Sequence, residues 1–440
     1  MSSKYQQTWV LISLLVLAGC NFPSPTSEPP TETSGASLVE PSPAPSDLPA
    51  SPAATSPATP QSAIASSTPS DQNLRIAYTD NGNLWALEIG SVATRLTAGG
   101  GINEVRLSDD GEWIAYVVRD PDQDTAQLHS VRFDGSSPQL LLDAASFDAL
   151  YPLGPFVHYT ISNFDFQPGT RTLLFNTRGV FEGPGLAKND DLLAIDVMTG
   201  QINPLLARGE GGDFTVSPTG DQIAIVRSDS LGIVNVDGAN LRSEVLTFTP
   251  VITYSEYFFY PLPVWSGASV VLPVPQQDPF FASEPGTVWS VNGEPQTLSR
   301  PDGDLFGPQR EHPLVSPDGL SVAYFRAADA AGEQHLIIER LDTGEQTVYD
   351  TGLIQWKGWS PDSNRTVYTK GTGFDLYLGE LGGPPAPLVP GTELRWINAN
   401  KYLYMTGDPG GWTLTLGDLT GGAIPLATLS GAFDTFDFAE

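Results

Sequence analysis

Beyond residue 73 the chain alternates short apolar runs with clusters of Ser, Pro, Asp and Gly, and one arrangement recurs. A strand-like stretch enters a Ser-Pro-Asp-Gly turn, and an apolar run follows. Leu107-Ser108-Asp109-Asp110-Gly111 precedes Ile114-Ala115-Tyr116-Val117, and Val216-Ser217-Pro218-Thr219-Gly220 precedes Ile223-Ala224-Ile225-Val226. Val315-Ser316-Pro317-Asp318-Gly319 precedes Val322-Ala323-Tyr324-Phe325, and Trp359-Ser360-Pro361-Asp362 precedes Thr366-Val367-Tyr368. Weaker copies begin at Phe166-Gln167-Pro168-Gly169, Trp265-Ser266-Gly267 and Trp396-Ile397-Asn398. Pro and Asp-Gly are what a tight turn between antiparallel strands demands. The apolar run after each turn is expected to be a half-buried strand.

Each copy continues into a second hairpin, whose first strands include Leu84-Trp85-Ala86-Leu87, Leu192-Leu193-Ala194-Ile195, Ile233-Val234-Asn235-Val236 and Leu336-Ile337-Ile338. Turns at Gly90, Gly135, Gly200, Gly238, Gly293, Gly344, Gly382 and Gly421 follow, giving eight hairpins. Each unit is therefore a four-stranded antiparallel sheet, with strands a to d. The first unit lacks a strand a, and the chain closes on Phe433-Asp434-Thr435-Phe436-Asp437-Phe438, which matches the strand a at Asn163-Phe164-Asp165-Phe166. The last strand can thus complete the first sheet and leave no open edge. Residues 74–440 divided by eight give about 46 per unit, the size of a propeller blade. The expected fold is all-β, an eight-bladed β-propeller over 74–440 closed by the C-terminal strand, with seven blades as the alternative.

The Ser-Pro-Asp-Gly turns followed by Ile-Ala-Tyr resemble the TolB-type, WD-like propeller repeats of bacterial envelope proteins, and related blades occur in prolyl oligopeptidases. The resemblance covers all of 74–440 and implies the fold. It does not imply a function, because propellers host binding, scaffolding and catalysis alike. TolB carries an α/β domain before its propeller, where this chain has a Pro-rich stretch. The hydrolase elbow Gly-x-Ser-x-Gly of prolyl oligopeptidases does not occur here.

The N-terminus changes the picture. Lys4 and the apolar run Trp9 to Leu17 have the pattern of an export signal, too short for a comfortable bilayer span, which takes about 20 residues. The run ends in Leu17-Ala18-Gly19-Cys20, which resembles a bacterial lipobox and implies lipidation of Cys20, the chain's single cysteine. Residues 1–20 are thus expected to be a lipoprotein signal peptide. Residues 21–73 are rich in Pro, Ser, Thr and Ala and hold no Lys or Arg. Such a segment buries too little surface to offset its ordering entropy, so a disordered stalk is expected. Together these predict an extracytoplasmic protein, lipid-anchored to a bacterial membrane at the cell surface or in the periplasm. The formal charge of −30 excludes nucleic acid and anionic headgroups as partners of the propeller. A monomeric domain with a protein or glycan partner in the envelope is expected.

The repeated turns join strands a and b and are short. The long insertions, Asp120 to Thr125, Ser146 to Ser162, Gly179 to Asp190, Phe248 to Pro263 and Gln276 to Gly286, are all b–c or d–a connections and so fall on one face. Long loops on a rigid scaffold are where binding residues concentrate. Three are aromatic: Phe147, Tyr151, Phe156, His158 and Tyr159; then Tyr254, Tyr257, Phe258, Phe259 and Tyr260; then Phe280 and Phe281. Such rings serve protein interfaces or stack on sugars, or else pack on one another beneath the loops.

Asp120, Asp122 and Asp124 have the spacing that opens many calcium loops, but the Gly at the sixth position and the Glu at the twelfth are missing. A solvated acidic turn is the competing expectation, as it is for Asp190-Asp191. Inner strands line a propeller's channel, which places Glu104, Asp165, Asp213, His312, Lys357, Arg395 and Asp434 there as a ring of mixed charge. No catalytic or phosphate-binding motif can be read. The expected function is a non-enzymatic binding or scaffold module, with no cofactor unless calcium is held. The alternatives are an enzyme acting on glycans or peptides at the channel mouth and a calcium-stabilised spacer.

Overall fold

The computed structural model describes residues 73–440, apart from 121, 184, 254–256, 279–285, 306–311, 331, 373–374, 392, 409–410 and 431–434. Cys20 and the stretch 21–72 therefore lie outside the described residues. Eight antiparallel sheets follow one another along the chain, so the propeller has eight blades rather than seven. The inner strands of blades 2 to 5 are Ile102–Leu107, His158–Phe166, Asp213–Val216 and Val264–Ser266. Those of blades 7, 8 and 1 are Ile354–Trp359, Glu393–Trp396 and Phe436–Ala439. In blade 6 three strands form the sheet, and Val315, bridged to Val322, holds the inner position. Blade 3 gains a short extra strand, Leu186–Lys188, paired with Arg178–Val180.

The ring closes as the sequence predicts. Phe436–Ala439 pairs with Arg75–Asp80, with Ile76 opposite Phe438 and Ala77 opposite Asp437. Just before that strand, Thr79 donates its N–H to the Thr435 carbonyl at 3.0 Å.

The apolar runs differ from expectation in one respect: they are buried on both faces rather than half-buried. Ile114, Ala115, Tyr116 and Val117 are all buried. Ile114 and Tyr116 pack on blade 1, while Ala115 and Val117 pack on blade 3. A strand flanked by a blade on each side has no solvent face, which is why these runs are nearly continuous in apolar residues. Eight such clusters, one between each pair of adjacent blades, make up the core.

Where an a–b turn carries the Ser of the Ser-Pro-Asp-Gly pattern, that Ser is as important as the Pro or Gly. Ser108 is fully buried, donates Oγ to Asp110 at 2.6 Å and accepts the Trp113 N–H at 2.9 Å. Ser316 with Asp318 and Ser321, and Ser360 with Asp362 and Arg365, repeat the arrangement. The side chain thereby satisfies a buried backbone donor that the turn leaves open.

Candidate functional site

Every inner strand starts on the face that carries the b–c and d–a connections and ends on the face that carries the Ser-Pro-Asp-Gly turns. The long insertions therefore share one face. Asp120 to Thr125 is the exception in length: its ends pair directly, Asp120 opposite Thr125, in a tight hairpin.

The loop entering blade 3 is built around a short helix, Ala144–Asp148. Asp143 caps it by accepting the Ser146 N–H at 2.8 Å. At its other end Asp148 accepts the Tyr159 N–H at 2.7 Å and lies 3.3 Å from His158 Nδ1. Phe147 and Tyr159 are fully buried, so neither presents a ring to a partner; Tyr159 instead donates its hydroxyl to the Pro152 carbonyl at 2.7 Å. Tyr151 and Phe156 are partly buried against the same cluster. The Arg208 guanidinium lies 5.6 to 5.8 Å from the centres of the Tyr151, Phe156 and Tyr159 rings. Sequence reasoning missed Arg208. Its signal is a lone cation immediately before the Gly-rich stretch Gly209 to Gly212 of an acidic chain.

Asp190-Asp191 is not a solvated turn. Asp191 is fully buried and accepts the Thr177 N–H at 2.8 Å, the Thr177 hydroxyl at 2.6 Å and the Tyr151 hydroxyl at 2.9 Å. Asp190 accepts the Tyr260 hydroxyl at 3.0 Å. Lys188 pairs with Asp213 and lies 4.2 Å from the centre of the Tyr260 ring. Burial pushes the Asp190 carboxyl up to about 6, against the Tyr260 hydrogen bond and the charge of Lys188, which hold it down. Asp191 is raised by burial as well. The two adjacent carboxylates thus anchor two loops 109 residues apart, Tyr151 before blade 3 and Tyr260 before blade 5. Beyond Tyr260, Tyr257 and Phe259 are half-buried and Phe258 is exposed. Tyr254, Phe280 and Phe281 lie outside the described residues.

The channel candidates divide into separate groups. Asp213 opens its strand at the long-loop end, held by Lys188 and by Asn176 at 3.3 Å. Glu104 pairs with Arg119 at 2.8 Å. Asp165 lies near the far end of its strand, exposed to the channel yet ringed by the neighbouring inner strands, and desolvation there raises its carboxyl to about 6 although Arg106 opposes the shift. Asp437 is half-buried, its carboxyl is likewise raised by desolvation, and it accepts the Leu107 N–H at 2.8 Å. Arg395 stands 4.0 Å from Asp437 and 3.6 Å from Glu393, whose other oxygen is 3.7 Å from Lys357. Around the channel wall, Asp165, Arg106, Asp437, Arg395, Glu393 and Lys357 therefore alternate in sign through blades 3, 2, 1, 8 and 7. Asp434 lies outside the described residues, and Asp437 is the member of the arc that the strand Phe436–Ala439 contributes. His312 lines a cavity with Lys357 and Arg395 that includes neither Asp165 nor Asp213.

Asp120, Asp122 and Asp124 do not converge on a common point. Asp120 accepts the N–H groups of Asp122 and Gln123, and Asp124 pairs with Arg178 of blade 3 at 3.2 Å. Among the described residues no group of three or more His, Cys, Asp or Glu is placed to hold a metal ion. Among them, too, no helix is long and apolar enough to cross a membrane.

No family model matches the chain, and no curated protein matches it. Solved structures similar to it include an oligogalacturonate lyase in complex with manganese, 16 % identical with a TM-score of 0.44 over 68 % of this chain and 82 % of that one. A eukaryotic initiation factor is 12 % identical with a TM-score of 0.46 over 82 % of this chain and 85 % of that one. TolB from Acinetobacter baumannii is 13 % identical with a TM-score of 0.35 over 83 % of this chain and 81 % of that one.

Proposed function

We propose that this chain is an extracytoplasmic lipoprotein, anchored at Cys20 and held off its membrane by residues 21–73, whose propeller binds an envelope protein through its long-loop face without catalysis. The observation that carries the reading is the apolar surface of that face. Ile252, Phe258 and Leu262 are 57, 48 and 42 % exposed on the single connection between blades 4 and 5. Leu153 and Val157, on the connection into blade 3, and Leu353, on the connection into blade 7, are exposed on the same face. Exposed apolar side chains gathered on the longest loops of a rigid scaffold mark an interaction surface.

The chemistry of that surface favours a protein over a glycan. Sugars are bound by exposed rings, and of these six side chains only Phe258 is aromatic. The experiment is capture from an envelope extract with the full chain as bait, beside a variant carrying Ile252→Ser, Phe258→Ser and Leu262→Ser. A partner held by the first and lost from the second supports the reading. Equal capture by both, or capture of nothing by the unchanged chain, overturns it.

A further inference from the structure

A cavity of about 430 Å³ lies along the channel wall of blades 5 to 8, reaching the ends of the inner strands on the short-turn face. It is at the opposite end of the channel from the long-loop face, and its size is that of a small-molecule site. Trp265, Trp359 and Trp396 line it, and so do His312, Lys357 and Arg395. Among the described residues no carboxylate lines it, in a chain with 51 acidic residues against 21 Lys and Arg.

Two features fit this cavity to one class of ligand. The first is charge. The arc of alternating charge ends at the cavity on a cation, Lys357, whose partner Glu393 is shared with Arg395 at 3.6 to 3.7 Å, longer than a direct hydrogen bond. An anion beside Lys357 continues the alternation, and Lys357 retains ammonium protons to meet it. The second is the aromatic wall. Trp265 and Trp359 are fixed by their indole N–H groups, which donate to the Thr215 and Leu314 carbonyls at 3.0 and 2.9 Å. Trp396 packs edge-on against Tyr402, and its buried indole N–H has no hydrogen-bond acceptor. Indoles held in place before a ligand arrives lose little entropy on binding it.

We propose that this part of the channel is a binding site for a small carboxylate borne on a flat ring, with Lys357 meeting the carboxylate and Trp396, the one of the three tryptophans not buried in a core between blades, meeting the ring. It is separate from the protein-binding face and stands or falls without it.

The test is calorimetric titration of the full chain with 2-naphthoate, 2-naphthamide and acetate. Naphthoate is expected to saturate at one equivalent, with the amide weaker by about tenfold or more, the scale of one charge-assisted contact, and acetate weaker because it lacks the ring. Lys357→Gln should weaken naphthoate by a similar factor and leave the amide unchanged, and Lys357→Arg should restore binding. Equal affinity for naphthoate and naphthamide, absence of saturable naphthoate binding, or unchanged naphthoate affinity in folded Lys357→Gln overturns the proposal. If the Gln variant does not fold, the comparison of the three ligands on the unchanged chain decides.

Discussion

The Tyr260 hydroxyl donates to Asp190 Oδ1 at 3.0 Å across 70 residues of chain, and Asp190 receives it with a left-handed backbone, φ 48°. Asp tolerates that conformation better than most residues. It is held there by its own carbonyl, which accepts the N–H groups of Gly209 and Gly211 at 2.9 and 2.7 Å. The long-loop face is thus tied to blade 3 through the Asp190-Asp191 dipeptide. Tyr260→Phe should destabilise the domain by about 1 kcal/mol. It should also let Asp190 titrate above its present value of about 6, because a hydrogen bond to the charged form is lost. Thermal melting and carboxyl carbon chemical shifts across pH check the two effects.

Gly211 is the tightest point of that arrangement. A Cβ there would sit 2.2 Å from the Asp191 carbonyl carbon, with backbone on every near side. Gly211→Ala should cost about 3 kcal/mol or more, the range of strain that neighbours cannot relieve. Gly200→Ala meets no atom within 4 Å and pays only for φ 71°, about 1 kcal/mol. Denaturant midpoints of the two variants give the comparison.

The pH dependence follows from Asp165, whose carboxyl rises from 3.8 to about 6 on folding. The folded chain holds this proton more tightly than the unfolded one. Its contribution to stability is therefore fully present below pH 3.8 and is lost as pH rises through about 6. Asp165 faces the open channel, so solvent screening keeps the loss well below the full value of such a shift. Asp165→Asn should reduce the slope of the stability profile between pH 4 and pH 7, with Asp190 supplying the remainder, as read by urea unfolding at each pH.

Ring closure rests on a buried ring. Phe436 is fully buried among blade 8 and blade 1 side chains, and Arg395 donates to its carbonyl at 2.6 Å. Phe436→Ala should cost about 3–5 kcal/mol. It should also raise hydrogen exchange first in Arg75–Asp80, the strand it seals.

The blade count and the closing strand are legible in the sequence because turn chemistry is local. A Ser-Pro-Asp-Gly turn and a c–d glycine, whose φ runs from 71 to 91° in all eight hairpins, are read within a few residues. Burial is not local. Phe147 and Tyr159 look like recognition aromatics until the helix at Ala144–Asp148 and Arg208 are seen around them. Asp191 looks solvated until Thr177 and Tyr151 are seen to surround it. Register is intermediate. The tail repeats Phe-Asp twice, and only the second copy is followed by Phe, as Asp165 is. That distinction marks Asp437 as the counterpart of Asp165 in the channel arc.

The central claim is that a partner protein docks on the long-loop face. A photo-crosslinking residue placed at Phe258 in living cells, beside one at Leu320 on the short-turn face, tests it directly. Both positions are exposed, so neither should disturb the fold. The account predicts a discrete crosslinked protein from position 258 and none from position 320. A crosslink from position 320 alone, or the same product from both, would contradict it.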